Sequence, residues 1–165
     1  MSILEILRYP DERLRKIADP VIAVSNNIRQ IVNDMFDTMY FNKGIGLAAT
    51  QVNIQQQIIV IDLCIKNKQR LVLINPNIIK RTGIISMAES CLSIPQIHEI
   101  VPRSETIIVR SLDQHGNKFE IEANNLLAIC IQHEVDHLYG KLFIDYLSPL
   151  KIKRIYKKMK NYCKY

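Results

Sequence analysis

The sequence predicts an α+β fold: mostly antiparallel sheets packed around a central helix that carries His133-Glu134-x-x-His137, with a further helix at the C-terminus. Three observations predict it. Apolar residues recur at helical spacing near the start, in the last third and at the end of the chain. Short β-branched runs bounded by turn residues lie between them. One pair of such runs flanks Asp113-Gln114-His115-Gly116-Asn117, as the two arms of a hairpin would.

Each element follows from its residues. Ile28, Ile31, Val32, Met35, Phe36, Met39 and Tyr40 fall on one helical face, and Asn42-Lys43-Gly44 ends that helix. Ile58 to Ile65 and Leu71 to Ile74 read as strands, the second broken by Asn75-Pro76-Asn77. Glu89-Ser90-Cys91-Leu92-Ser93 reads as a polar loop, and His98, after Pro95, as part of another. Thr106 to Leu112 and Lys118 to Ala123 form the hairpin arms. Asn124-Asn125 offers an N-cap for a helix whose face is Leu126, Ile129, Cys130, His133 and His137, and Gly140 stops it. Leu126 to Ile131 is apolar nearly all round, so this helix is predicted to be buried. Ser148-Pro149 starts the last helix, with proline at the first helical position.

The 165 residues suit one domain. We expect residues 1–150 to form a single catalytic domain and 151–165 a basic helical tail. No apolar run reaches the roughly 18–20 residues of a membrane span. Met1 to Pro10 lacks the basic start and apolar block of a signal peptide, so a cytoplasmic protein is expected. The four cysteines (Cys64, Cys91, Cys130, Cys163) are scattered, and a reducing compartment argues against disulfides. The net charge is +6, yet the seven basic residues from Lys151 onward (Lys151, Lys153, Arg154, Lys157, Lys158, Lys160, Lys164) leave the body at −1. That distribution argues against a generic DNA-binding domain. Any polyanionic partner should meet the tail.

His133 and His137 fit the H-E-x-x-H pattern. On a helix such residues lie on one face, roughly 5–6 Å apart at Cβ, where two imidazoles can share one metal ion. Glu134 can then reach the metal's water as a base. A catalytic site of this kind has a third protein ligand and an open position. The candidates are Cys130, Cys91, Cys64, His98, His115 and a carboxylate after His137. No histidine follows His137 and Asp145 is the only acid after it, which disfavours the usual metalloprotease plan. Cys130 sits among Ile129, Ile131 and Leu127 and suits packing as a small hydrophobe. Cys91, in a polar segment, is the best candidate.

The chain also resembles the bacterial-type peptide deformylases. That family is marked by three motifs in order: a Gly-x-Gly-Leu-Ala-Ala-x-Gln loop, a Glu-Gly-Cys-Leu-Ser loop and a Gln-His-Glu-x-Asp-His helix. Gly44 to Gln51 and Gln132 to His137 match completely, and Glu89 to Ser93 matches with one change, Ser90 for glycine. The resemblance extends to Pro10-Asp11-Glu12-Arg13-Leu14-Arg15 and to Asp145-Tyr146-Leu147-Ser148-Pro149.

The resemblance implies a bacterial cytoplasmic metallohydrolase that removes the formyl group from the N-terminal formylmethionine of new polypeptides and releases formate. It implies one divalent ion, iron(II) in the family's common form with zinc, nickel or cobalt as substitutes, held by Cys91, His133 and His137. It implies Glu134 as general acid and base, with the Gln51 side-chain amide and the Leu92 N–H stabilising the oxyanion. Gly44, Ile45 and Gly46 would let an extended peptide approach, the glycines permitting a tight turn. Ile45, Met87, Leu126, Ile129 and Cys130 would wall the methionine pocket, and His98 stands where many relatives carry a basic residue. Ser90 would be strained only at positive φ. The expected partners are formylmethionyl nascent peptides and, through the basic tail, the ribosome. The tail's apolar stripe (Ile152, Ile155, Tyr156, Met159) can dock on the domain or on a partner. The alternatives are a metallopeptidase of other specificity and a non-enzymatic ribosome-associated domain with a structural zinc.

Overall fold

The computed structural model describes residues 2–63 and 70–162. The expectations on Cys64, Ile65, Cys163 and Lys164 lie outside those residues. Helix α1 (Asn26–Phe41) starts at Ser25, whose side-chain oxygen accepts from the Ile28 N–H at 3.3 Å. Strands β1 (Gly46–Ala48), β2 (Ile58–Ile61), β3 (Leu71–Thr82), β4 (Ile85–Cys91), β5 (Ile94–Arg103), β6 (Thr106–Leu112) and β7 (Lys118–Asn124) follow. Helices α2 (Asn125–Leu138) and α3 (Pro149–Tyr162) close the chain.

Five strands form one antiparallel sheet in the order β1-β2-β3-β6-β7, while β4 and β5 pair only with each other. The uniform apolar character of β2 has a clear cause. Alternate side chains on a strand point to opposite faces. Ile58 and Val60 pack against Val32, Met35, Phe36 and Met39 of α1, whereas Ile59 and Ile61 pack with Ala128, Ile131, Val135 and Leu138 of α2. The sheet is covered on both sides there, so no position on β2 can be polar.

Helix α2 is the buried central helix the sequence predicts: Ala128 to Val135, His137 and Leu138 are all buried. Gly140 ends it at φ 68°, and a β-carbon there would stand 2.3 Å from the Arg15 carbonyl oxygen. The Asn124 side chain makes no cap bond to the helix and instead accepts from Thr106 Oγ1 at 2.7 Å. A third core cluster joins the hairpin β4–β5 (Ile94, Ile97, Val101) to Leu7, Tyr9, Leu14, Phe143 and, from α3, Ile155 and Met159. Among the described residues no helix is long and apolar enough to cross a membrane.

Two expectations are corrected. Asn75-Pro76-Asn77 does not end a strand. Strand β3 continues through it with a register shift between Ile74 and Asn77, and Asn75 takes φ 52°. The Asn75 amide braces this irregularity, accepting from the Val21 N–H and donating to the Val21 carbonyl, both at 2.8 Å. A bulge tolerates proline because it leaves a residue outside the ladder. The segments around Cys91 and His98 are likewise strands, not loops, with only Leu92 and Ser93 outside β4 and β5.

Candidate metal centre and active site

Helix α2 places the His133 and His137 rings with centroids 5.0 Å apart. The end of β4 brings Cys91 to the same point, with Sγ 3.2 Å from His137 Nε2. One ligand atom from each of Cys91, His133 and His137 lies within 4.8 Å of the others, and all three residues are buried. A sulfur and two imidazole nitrogens suit a late first-row divalent ion with a position left open. The orientation of His133 fits this use. Its Nδ1 is engaged by Glu89 Oε2 at 2.8 Å, which leaves Nε2 for an ion. His137 Nδ1 has no hydrogen-bond partner, and its backbone carbonyl accepts from Thr50 Oγ1 at 3.1 Å.

Glu89 leads to a buried polar network. Arg103 forks onto it, Nε to Oε1 at 2.7 Å and Nη2 to Oε2 at 3.0 Å. Arg103 Nη1 also reaches Asp136 Oδ2 and donates to the Tyr146 hydroxyl at 3.1 Å, and that hydroxyl donates to Asp136 at 2.9 Å. Helix α2 and the small sheet are thus joined through His133–Glu89–Arg103–Asp136. Gln132 adds a second tie. Its Oε1 accepts from the Ser104 N–H at 3.0 Å, and its Nε2 donates to the Ser104 and Ala128 carbonyls at 2.8 and 2.9 Å.

The charges respond to burial and to each other. Burial pushes His133 down, but the bonds to Cys91 and Glu89 more than reverse this and hold it well above its ordinary value. His137 is pushed well below, by burial first and then by His133. Burial lifts the Glu134 carboxyl to about 7. Glu134 Oε2 has no partner, so that carboxyl keeps a free oxygen in the site. The Cys130 thiol is pushed well up by burial and by Glu134, and Cys130 lies outside the three-residue cluster.

Gln51 is held by both ends of its amide. Oε1 accepts from the Ala48 N–H at 2.8 Å, so Nε2 faces Ser93 Oγ at 3.1 Å and Cys91 Sγ at 3.5 Å. A cavity of about 520 Å³ opens over these groups. Gly44, Ile45, Gly46, Leu126, Ile129 and Cys130 line it, together with Gln51, Leu92, His133 and Glu134. Exposed His98 on β5 stands at its edge. Met87 is not part of this lining; it sits on β4 opposite Val101. Gly44 and Gly46 do not take positive φ, which Lys43 takes instead at 57°; a β-carbon at Gly44 would crowd Leu92, and one at Gly46 would crowd Glu134 and Cys130. Ser90 has no positive φ either and is unstrained on that account.

Sequence reasoning gave no role to Arg103, Asp136 or Tyr146, and treated Glu89 and Gln132 only as motif letters. A buried arginine paired with two acids leaves no spacing signal in a chain.

The sequence model of the polypeptide deformylase family matches residues 3–153. The chain belongs to that family. It is 79% identical over 164 residues to the peptide deformylase of Blochmanniella pennsylvanica (strain BPEN), covering 99% of this chain and 95% of that one. It is 63% identical over 160 residues to the peptide deformylase of Blochmanniella floridana, covering 96% and 91%. Among solved structures, the peptide deformylase from Legionella pneumophila superposes with a TM-score of 0.94 at 44% identity, over 99% of this chain and 96% of that one. As a deformylase-family member the chain is a metal-dependent hydrolase, and Cys91, His133 and His137 are residues that could hold its ion.

Proposed function

We propose that this deformylase hydrolyses the formyl amide at the N-terminal methionine of newly made polypeptides, releasing formate, in the cavity over Cys91, His133 and His137. The observation that carries the reading is the convergence of those three ligand atoms within 4.8 Å beside Glu134, whose Oε2 has no partner.

Cys91, His133 and His137 would hold a divalent ion, which would supply Lewis acidity and so favour ionisation of a water at neutral pH. Glu134, poised near 7, takes the proton from the attacking water and returns it to the leaving amine, a role worth roughly 10²–10⁴ in rate. The Gln51 Nε2 and the Leu92 N–H donate to the oxygen that gains charge, each donor contributing about 2.7–4 kcal/mol. Gln51 needs no reorientation, because Ala48 already fixes the other end of its amide. The backbone of Gly44-Ile45-Gly46 meets the extended peptide. Ile45, Leu126, Ile129 and Cys130 receive the methionine side chain.

Iron(II) is the native ion in this reading, with zinc, nickel or cobalt accepted by the same sulfur and imidazole donors. Iron-loaded enzyme should lose activity in air as the thiolate oxidises, while nickel-loaded enzyme persists. The enzyme works in the bacterial cytoplasm, where its substrates leave the ribosome. Helix α3 tethers it there through Lys153, Arg154 and Lys157, which are exposed. Lys151 pairs with Glu99 at 2.7 Å and Lys158 donates to the Gln96 carbonyl at 3.3 Å. Ile155 and Met159 are core residues, so reversing these three charges tests the tether better than deleting the helix. Ribosome cosedimentation should fall and lose its salt dependence, with peptide turnover retained.

The central test is anaerobic assay of a formylmethionyl tripeptide with metal-replete protein. Stoichiometric formate and a free amino terminus are expected. Cleavage of an internal peptide bond without formate would overturn the reading.

A further inference from the structure

We propose that a second groove, between the N-terminal segment and the end of α1, receives the polypeptide substrate after it leaves the reaction cavity. This rests on the function proposed above and extends it to the downstream part of the substrate.

The groove has a volume of about 660 Å³ and is lined in part by Ile3, Ile6 and Phe41. Arg8 and Asn42 line both this groove and the reaction cavity, so the two adjoin. Its wall is rigidly tied to the reaction centre. The Leu7 N–H donates to the carbonyl of Gln51 at 2.8 Å, and the Tyr9 N–H to the carbonyl of Ser93 at 2.9 Å. The Leu4 N–H donates to Thr38 Oγ1 on α1 at 2.9 Å. The groove is therefore positioned by the residues on either side of the proposed oxyanion site.

The surface offers an apolar occupant exposed apolar groups, with Glu5, Arg8, Asp11 and Arg13 beside them in the lining. Phe41 is 72% exposed and Ile3 49%, with Ile45, 41% exposed, on the cavity side of the junction. Large apolar groups left open beside a binding site mark a contact surface when they are contiguous with it. The substrate supplies the occupant. It is a long chain, the reaction cavity has the volume of a small-ligand site, and an extended peptide advances about 3.3 Å per residue. An exit past Arg8 and Asn42 leads the rest of the chain onto the adjoining groove. Apolar side chains after the first three residues cover Phe41 and Ile3.

The experiment compares formate release from a formylmethionyl tripeptide and from decapeptides carrying either leucines or serines in residues four to six. The leucine decapeptide should show kcat/KM about tenfold above the tripeptide, equivalent to about 1.4 kcal/mol of added binding, carried by KM. The serine decapeptide should gain little. The double variant Phe41→Ser, Ile3→Ser should abolish the gain and leave tripeptide kinetics unchanged. Equal length dependence in the wild type and the variant, or none in either, overturns the groove. So does a variant that only shifts sedimentation from dimer to monomer, which would assign the face to a second copy of the chain. Failure of the tripeptide itself to release formate would count instead against the function on which the groove depends.

Discussion

Gly46 and Glu134 touch so closely that a β-carbon at residue 46 would stand 2.6 Å from Glu134 Oε1 and 2.8 Å from Cys130 Sγ. Strand β1 can pass the central helix at that point only as bare backbone. Gly46→Ala is compatible with the local φ, so its effect is steric and falls on the proposed proton carrier, Glu134. Displacing a reacting group by about 1 Å can cost 10²-fold. We expect kcat for formate release to fall by about that factor with metal content unchanged. Near-normal turnover would mean that the Glu134 carboxyl can give way.

Glu134→Gln keeps the shape of the site and removes the carboxyl proposed as its proton carrier. Bound metal should stay at wild-type stoichiometry while kcat drops by about 10²-fold or more. A metal-replete variant with ordinary kcat would take Glu134 out of that role.

The two cysteines of the site should separate cleanly. Cys91→Ser replaces a soft donor with a hydroxyl, so metal content should fall or shift toward harder ions. Cys130→Ser should leave metal content intact and alter only packing and methionine preference. Metal analysis of both variants decides, and a reversed pattern would show the wrong sulfur was chosen.

Arg103→Met leaves Glu89 buried with only His133 to balance it. Breaking a buried pair in this way costs about 3–5 kcal/mol, read from denaturant midpoints. The loss should vary with pH. Burial pushes the Glu89 carboxyl up, yet the bonds to His133 and Arg103 outweigh that and hold it below 4.5. Its stabilisation is therefore full above about pH 4.5 and drains away as pH falls through the lowered folded value. The variant should lose much of this acid-side slope. Parallel wild-type and variant curves between roughly pH 3 and pH 6 would contradict the assignment.

Ser90→Gly should bring no gain in stability, because Ser90 does not occupy positive φ. A glycine inside β4 should instead cost about 0.5–1 kcal/mol in chain entropy, with kcat/KM unchanged. A higher melting temperature would reveal strain at this position after all.

How much of this could be read from the chain depends on what carries each feature. The α2 histidines were legible because their spacing is a helical repeat, and the β6–β7 hairpin because Asp113 to Asn117 punctuates two alternating runs. The start of α3 was legible in Ser148-Pro149. The β4–β5 hairpin was not. Its buried Glu89 read only as part of a polar loop motif and Arg103 was given no role, while Pro95 and Ser90 read as loop residues. Only tertiary pairing makes such residues interior. Asn75-Pro76 misled for the opposite reason, since turn chemistry also serves a bulge. Met87 was assigned to the methionine pocket by resemblance, but lies outside the cavity lining.

Among the described residues the small sheet β4–β5 shares no backbone ladder with the larger one, and the proposed ligands come from two elements: Cys91 from the hairpin, His133 and His137 from α2. The ion would thus be a cross-link as well as a reagent. Its binding would add a further tie to the one that His133–Glu89–Arg103–Asp136 already makes between α2 and the hairpin, and the energy of binding would add to the energy of folding as RT ln(1 + [L]/Kd). Protein lifetime becomes a readout of ion supply. Starved of metal, the protein would lose that increment of stability, so an idle enzyme would also be a shorter-lived one.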